Sequence, residues 1–403
     1  MGGRLLVGQS GGPTAVINSS LAGVVEAARR SGRFTGLYGA RYGIEGVLAE
    51  DFLDLEAEPP AIWAALRQTP AAALGACRYK LRPEDLDRIL AVFRRHDIRC
   101  FIYIGGNDSA DTAHRIALAS RQAGYDLTVV HVPKTIDNDL PETDHCPGYG
   151  SIARFLAATT RDAGRDTEAM HRLDPVKLIE VMGRNAGWVA AATALAKVEE
   201  RDAPHLICPP ERPLDLDWFL GRVEAIVRRL GFAVVVVAET VRDPTGAPLG
   251  ARLTPADERD AFGHRRHLGP AAVLAAAIRA RLGLSARWDR PGTLQRSTMA
   301  LASPVDLEEA YLVGQQAVTA ALQGQTDCMV TLVRLPGPTY GCTTGLAPLA
   351  RIANREKHLP PEFLAPDGSD VTAAFRAYAG PLIGPPLTPY PRLGARPVPR
   401  PGA

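Results

Sequence analysis

The 403-residue sequence predicts an α/β architecture, and three observations predict it. Strand-length apolar runs alternate with helix-length segments through most of the chain. The runs are continuously apolar rather than alternating, as in parallel strands covered on both faces. Several of them are followed at once by glycine pairs and charged residues, where open parallel sheets bind their ligands.

In chain order, strands are predicted at residues 5–8, 100–104, 128–132, 177–182, 233–238 and 328–332. Helical patterns fill 14–30, 83–96, 109–123, 151–163, 186–196, 215–230 and 270–282. No internal repeat stands out. From residue 380 prolines accumulate (Pro385, Pro386, Pro389, Pro391, Pro397, Pro399, Pro401), which reads as an extended arm or a disordered tail without function. The length suits two or three domains.

Composition excludes several roles. Lys and Arg are dispersed and the net charge is +2, so nothing supports a nucleic-acid or membrane-surface partner. The six cysteines (Cys77, Cys100, Cys146, Cys208, Cys328, Cys342) have no CxxC spacing, which argues against zinc sites and redox pairs and fits reduced thiols in a cytoplasm. The chain enters a strand by Arg4 without a signal-peptide pattern, and the apolar run 232–238 is far too short to cross a bilayer.

Six segments carry candidate chemistry. Gly8-Gln9-Ser10-Gly11-Gly12-Pro13-Thr14 follows a strand and opens a helix; it is either a phosphate cradle or a tight turn. Gly105-Gly106-Asn107-Asp108-Ser109 has the same setting, with Ser109 as candidate helix cap and Asp108 placed for a hard cation on a phosphate. In Pro133-Lys134-Thr135-Ile136-Asp137-Asn138-Asp139, the carboxylates of Asp137 and Asp139 are two apart and face one side of an extended loop. Lys134 beside them adds a cation, so the segment offers a general base, a metal contact and a phosphate partner; the plainer alternative is a solvated acidic turn. Met182-Gly183-Arg184 presents an arginine suited to bidentate phosphate binding. Glu239-Thr240 and Arg287 with Gly292-Thr293-Leu294-Gln295-Arg296 complete the set, each bland alone.

Together these residues resemble the phosphofructokinase family, in particular its pyrophosphate-dependent branch, over residues 4–335. The resemblance implies two Rossmann-like three-layer domains with the active site in the cleft between them: residues 1–140 plus part of the C-terminal region for the donor, 141–335 for the sugar phosphate, and 336–403 as a C-terminal extension. ATP users carry glycine where Asp108 and Lys134 stand, and the two substitutions together are those of pyrophosphate users. By resemblance, Asp137 is the base at the sugar 1-hydroxyl, Thr135 contacts the transferring phosphoryl group, and Asp139 orients sugar or metal. Met182, Gly183, Arg184 and Glu239 match sugar-phosphate positions, and Arg296 the family's 6-phosphate arginine. Arg287 matches an arginine supplied across a subunit interface, and Gly11 and Arg78 are donor-side. Asn107 and Asp108 match the magnesium loop, with Asn107 replacing an aspartate usual in many members. Thr293 stands where bacterial ATP users have histidine. The second cross-subunit arginine is not evident near Pro175; Lys177 or Arg172 are the alternatives.

The resemblance thus implies Mg2+-dependent, reversible phosphoryl transfer from pyrophosphate to fructose 6-phosphate by a cytoplasmic, non-allosteric homodimer or homotetramer. An ATP-dependent enzyme, a catalytically weak regulatory subunit, and sedoheptulose 7-phosphate as acceptor remain open.

Overall fold

The computed structural model describes residues 2–249, 269–394 and Val398; Pro397, Pro399 and Pro401 lie outside them. Eleven strands are described: β1 (Arg4–Gln9), β2 (Leu37–Ala40), β3 (Phe52–Asp54), β4 (Ile98–Gly105), β5 (Thr128–Pro133), β6 (Val176–Val181), β7 (Leu206–Cys208), β8 (Ala233–Ala238), β9 (Ala286–Asp289), β10 (Cys328–Arg334) and β11 (Cys342–Pro348). They form a seven-stranded sheet, ordered β11-β10-β5-β4-β1-β2-β3, and a four-stranded sheet, ordered β7-β8-β6-β9.

The larger sheet is parallel except at its two ends, where β3 and β11 run antiparallel to β2 and β10. The smaller sheet is parallel throughout. The continuous apolar runs sit where they should: every residue of β5 and β8 is buried, covered on both faces by helices and loops. The two α/β layers are therefore those expected of two Rossmann-like halves.

Each sheet reverses its strand order once. From β1 the chain moves to β2 and β3 on one side, then to β4 and β5 on the other, so the loops after β1 and β4 diverge around a crevice. In the smaller sheet β6 is flanked by β8 and β9, and the loops after β6 and β9 flank a second reversal. All the glycine-bearing motifs fall on loops leaving these strands.

The expected helices all start within a turn of their place, but Tyr149–Met170 runs about two turns past its expected end, the short helices Ile44–Ala49, Pro60–Leu66, Leu294–Ser297 and Ala373–Ala379 are not foreseen, and three further points differ. The helix after β4 begins at Asn107 with Gly106 as its cap, so Ser109 is inside the first turn rather than capping it. The segment 186–196 is split into a short α-helix, Trp188–Ala192, and a 3-10 turn. The helix Pro304–Leu322 is not foreseen, although Ser303 caps it and Pro304 opens it. Residues 328–335, grouped by sequence with the second half, belong to the first sheet, because β10 is hydrogen-bonded to β5.

The proline-rich arm is not disordered through its described length. Arg154 Nη1 donates to the carbonyl of Ile383 at 2.8 Å, Arg161 Nη1 to Thr388 at 2.6 Å and Arg165 Nη2 to Pro391 at 2.9 Å. These arginines recur along one face of the helix Tyr149–Met170 and meet carbonyls that proline-rich backbone leaves unpaired. Arg392 ends the run on Glu168 and Asp202.

Candidate active site

Three loops of the larger sheet meet at its crevice. Ser10 N donates to Ile104 O at 2.9 Å, and Lys134 N donates to Gly105 O at 2.9 Å, so the turns after β1, β4 and β5 are tied together. Gly11 has φ +75, a conformation that costs glycine little, and its N–H bonds Cys77 O at 3.1 Å, drawing in the segment that carries Arg78. A Cβ on Gly12 would lie 2.5 Å from Arg296 Nη1 and 3.8 Å from Arg78 Nη2. The turn is thus bare backbone with two guanidiniums against it. Lys134 Nζ, buried, donates to Gly12 O at 2.8 Å.

This crowd of cations has electrostatic consequences. Burial pulls the Lys134 ammonium down to about 8, with Arg296 and Arg78 adding to the effect and Asp137 opposing it. Burial and Arg78 also lower Arg296. Arg296 Nε is buried with no hydrogen-bond partner. A buried unpaired donor among like charges is costly, and an anion would relieve both terms.

The carboxylates face the same space. Burial raises Asp137 to about 7, Asp139 and Glu239 push the same way, and Arg184 and Lys134 oppose. Burial raises Asp139 as well, and its Oδ1 has no partner. The loop that holds them is fixed at each residue. Thr135 Oγ1 accepts from Asp137 N at 3.1 Å. Asn138, at φ +55, donates to Tyr378 Oη at 3.0 Å and accepts from Cys146 N at 3.0 Å. Both contacts of Asn138 lie outside the loop, so the acidic segment is a built turn and not a solvated one.

The smaller sheet brings the opposing wall. Arg184 sits at φ +46 after Gly183, and Thr240 Oγ1 bonds its carbonyl. Strain of this kind at a non-glycine residue is held by surrounding structure and clusters at functional sites. Arg184 Nε lies 4.0 Å from Asp137 Oδ2, so residues of the two sheets meet across the cleft. Met182 N donates to Gln295 Oε1 at 3.2 Å, tying the loops after β6 and β9. Glu239 lies 3.9 Å from Arg290, which also pairs with the buried Glu180 at 3.1 Å.

Two predicted residues stand apart from this cluster, and a third is committed elsewhere. Arg287 is exposed on the edge strand β9, with its guanidinium on Asp174 at 2.5 Å. Lys177 is likewise held by Asp289 at 2.8 Å. Asn107, expected as a magnesium ligand, has its carboxamide turned to the C-terminal extension: Nδ2 donates to Arg355 O and Oδ1 accepts from Asn354 N at 2.9 Å. Asp108 is exposed beside it at the start of the helix, where negative charge is favoured.

Sequence reasoning missed Arg290, Glu180 and residues 354–358. Lys357, half-buried, donates from its backbone to Asp139 O at 2.7 Å and from Nζ to the carbonyls of Thr143 and Asp144. No local motif announces it. Among the described residues no cluster of three or more His, Cys, Asp or Glu is arranged to hold a metal alone, and no helix is long and apolar enough to cross a membrane. Mg2+ needs only one or two carboxylates when substrate phosphates supply further oxygens, and the unpartnered Asp139 Oδ1 with the exposed Asp108 fits that requirement.

A cationic glycine turn thus faces a pair of carboxylates, with Arg184 of the smaller sheet's side opposite. The Phosphofructokinase family profile matches residues 4–321, and the chain belongs to that family. It is 45% identical to the pyrophosphate–fructose 6-phosphate 1-phosphotransferase of Halomonas elongata, over 93% of this chain and 90% of that one. The Xanthomonas campestris protein of the same name is 44% identical over 94% and 91%. The crystal structure of a pyrophosphate-dependent phosphofructokinase from Nitrosospira multiformis superposes with a TM-score of 0.87 at 41% identity, covering 97% of this chain and 94% of that one.

Proposed function

We propose that the chain transfers a phosphoryl group reversibly from pyrophosphate to the 1-hydroxyl of fructose 6-phosphate, giving fructose 1,6-bisphosphate. The observation that carries this reading is the meeting of Lys134 and Asp137 within one buried segment, with cations from three other loops around them. The larger-sheet half takes the donor and the smaller-sheet half takes the sugar phosphate.

Pyrophosphate lies on the Gly11–Gly12 turn, where Lys134, Arg78 and Arg296 meet its charge. Arg296 was matched to the 6-phosphate by resemblance; its contact with the Gly12 turn favours the transferring group instead. Asp137, ionised, takes the proton of the 1-hydroxyl as that oxygen attacks phosphorus in line, and the P–O bond to the departing phosphate breaks. Arg184 faces the same carboxylate and stabilises charge on the transferring group. Thr135 and Asp139 orient the reacting groups, and Met182, Gly183 and Glu239 contact the sugar. Asp108 and Asp139 would hold Mg2+, which would supply charge neutralisation on pyrophosphate. Asp108 and Lys134 add one negative and one positive charge at the donor loops, which favours the compact pyrophosphate over a nucleotide.

The exposed Arg287 on an edge strand supports a homodimer or homotetramer in which it serves the neighbouring subunit's sugar site. The six cysteines, all unpaired, support a cytoplasmic setting. The test is an approach to equilibrium from both sides with Mg2+ present, followed by 31P NMR: phosphate and fructose 1,6-bisphosphate are expected to yield pyrophosphate readily. One-way flow would refute reversibility.

A further inference from the structure

We propose that Asn107 is a positioning residue: its carboxamide clamps the donor-side loop to a strap, residues 354–358, that also holds the sugar-side loop and the loop of Asp137 and Asp139. Both ends of the carboxamide are used. Nδ2 donates to Arg355 O, while Oδ1 accepts from Asn354 N at 2.9 Å. This two-point match to a backbone needs a donor and an acceptor on one planar group; an aspartate has no donor and would set oxygen against the Arg355 carbonyl. One turn further along the helix, Asp111 Oδ1 accepts from Asn354 Nδ2 at 2.7 Å. Asn354 itself adopts φ +58, a conformation asparagine tolerates better than most residues.

The next residues reach the other loops. Glu356 accepts from Asn185 Nδ2 at 3.3 Å with each carboxylate oxygen, and His358 Nδ1 lies 3.2 Å from Asn185 O. Lys357 N donates to Asp139 O at 2.7 Å, and Trp188 Nε1 donates to Lys357 O at 2.9 Å. Five consecutive residues therefore touch the helix start after β4, the loop after β5 and the loop after β6. The first two belong to the larger sheet and the third to the smaller. The strap sets the spacing of donor loop, base and sugar loop, and Asn107 is its attachment on the donor side. In this role Asn107 is not a metal ligand.

The proposal rests on the reaction inferred above, which the wild-type assay run alongside tests separately. Asn107→Asp and Asn354→Ala are compared with the wild type for the KM of each substrate, for the Mg2+ concentration giving half-maximal rate at saturating substrates, and for thermal midpoint. Asn107→Asp is expected to raise both KM values by about tenfold, the scale of one lost hydrogen bond with a carbonyl left unpaired, at unchanged Mg2+ requirement. Asn354→Ala, which removes the Nδ2 bond to Asp111 but keeps the backbone N–H that Asn107 accepts from, is expected to raise both by about threefold, the low end of one hydrogen bond. A merely structural role lowers the active fraction, and so kcat, without moving the KM of the sugar. A lowered Mg2+ requirement in Asn107→Asp, or unchanged KM values in Asn354→Ala, would overturn the proposal; should Asn107→Asp fail to fold, Asn354→Ala decides alone.

Discussion

The pH dependence of kcat/KM is the most quantitative consequence of the site. Asp137 must be ionised to accept a proton, and burial has raised it to about 7; Lys134 must be charged to meet the donor, and burial has lowered it to about 8. Activity is then lost as pH falls through about 7 and as it rises through about 8. The competent fraction peaks at about 0.6 near pH 7.5 and falls to about 0.03 at pH 5.5 and at pH 9.5, a change of about twentyfold on each side. Pyrophosphate also titrates in this range, so the diagnostic quantity is the displacement between wild type and variant, in which the substrate's share cancels. Asp139→Asn removes the largest charge that raises Asp137 and should shift the acid limb to lower pH. Lys134→Arg replaces a titrating cation with one that stays charged and should remove the enzyme's share of the alkaline limb. The assay is initial rate at subsaturating sugar phosphate from pH 5 to 10, with Asp137→Asn as the control that loses about 10²–10⁴ in rate. An acid limb that Asp139→Asn leaves in place would refute Asp137 as the base.

Two further predictions follow from the same geometry. Lys134→Gly with Asp108→Gly should weaken pyrophosphate use by about a hundredfold or more, the scale of a lost charged contact to a transferring phosphoryl group, and steady-state rates against pyrophosphate check it. His131 lies fully buried on β5, and burial, with the Lys134 charge adding to it, holds it down to about 3 against the opposing backbone N–H groups of Gly105 and Gly106. The unfolded chain therefore binds a proton that the folded chain refuses below its ordinary value. Stability is fully present above about 6.5 and should fall by about 2 kcal/mol between pH 6.5 and pH 5 from this residue. Urea unfolding of wild type and His131→Leu at both pH values should give a shallower loss in the variant.

Much of this was legible in the sequence because open parallel sheets put their ligand loops directly after apolar strands. The runs 100–104, 128–132 and 233–238 marked β4, β5 and β8, and the residues just beyond them, Gly105 to Asp108, Lys134 to Asp139 and Glu239, lie at the strand ends, the helix start and the loops that follow. Besides the helix Pro304–Leu322 and β11, what was hidden was short or distant. β2, β3, β7 and β9 have three or four residues each, too few for periodicity to register. Asn107 matches the magnesium loop of the family it resembles, but the partner that claims its side chain lies 247 residues away. Lys357 and Arg290 carry no local motif, since each acts through contacts made only in the folded chain.

The central claim is donor choice, and a paired rate measurement with fructose 6-phosphate and Mg2+ tests it most directly. With Asp108 and Lys134 in place, pyrophosphate should support turnover and ATP should support none above background. Comparable kcat/KM values for the two donors, or turnover with ATP alone, would contradict the account.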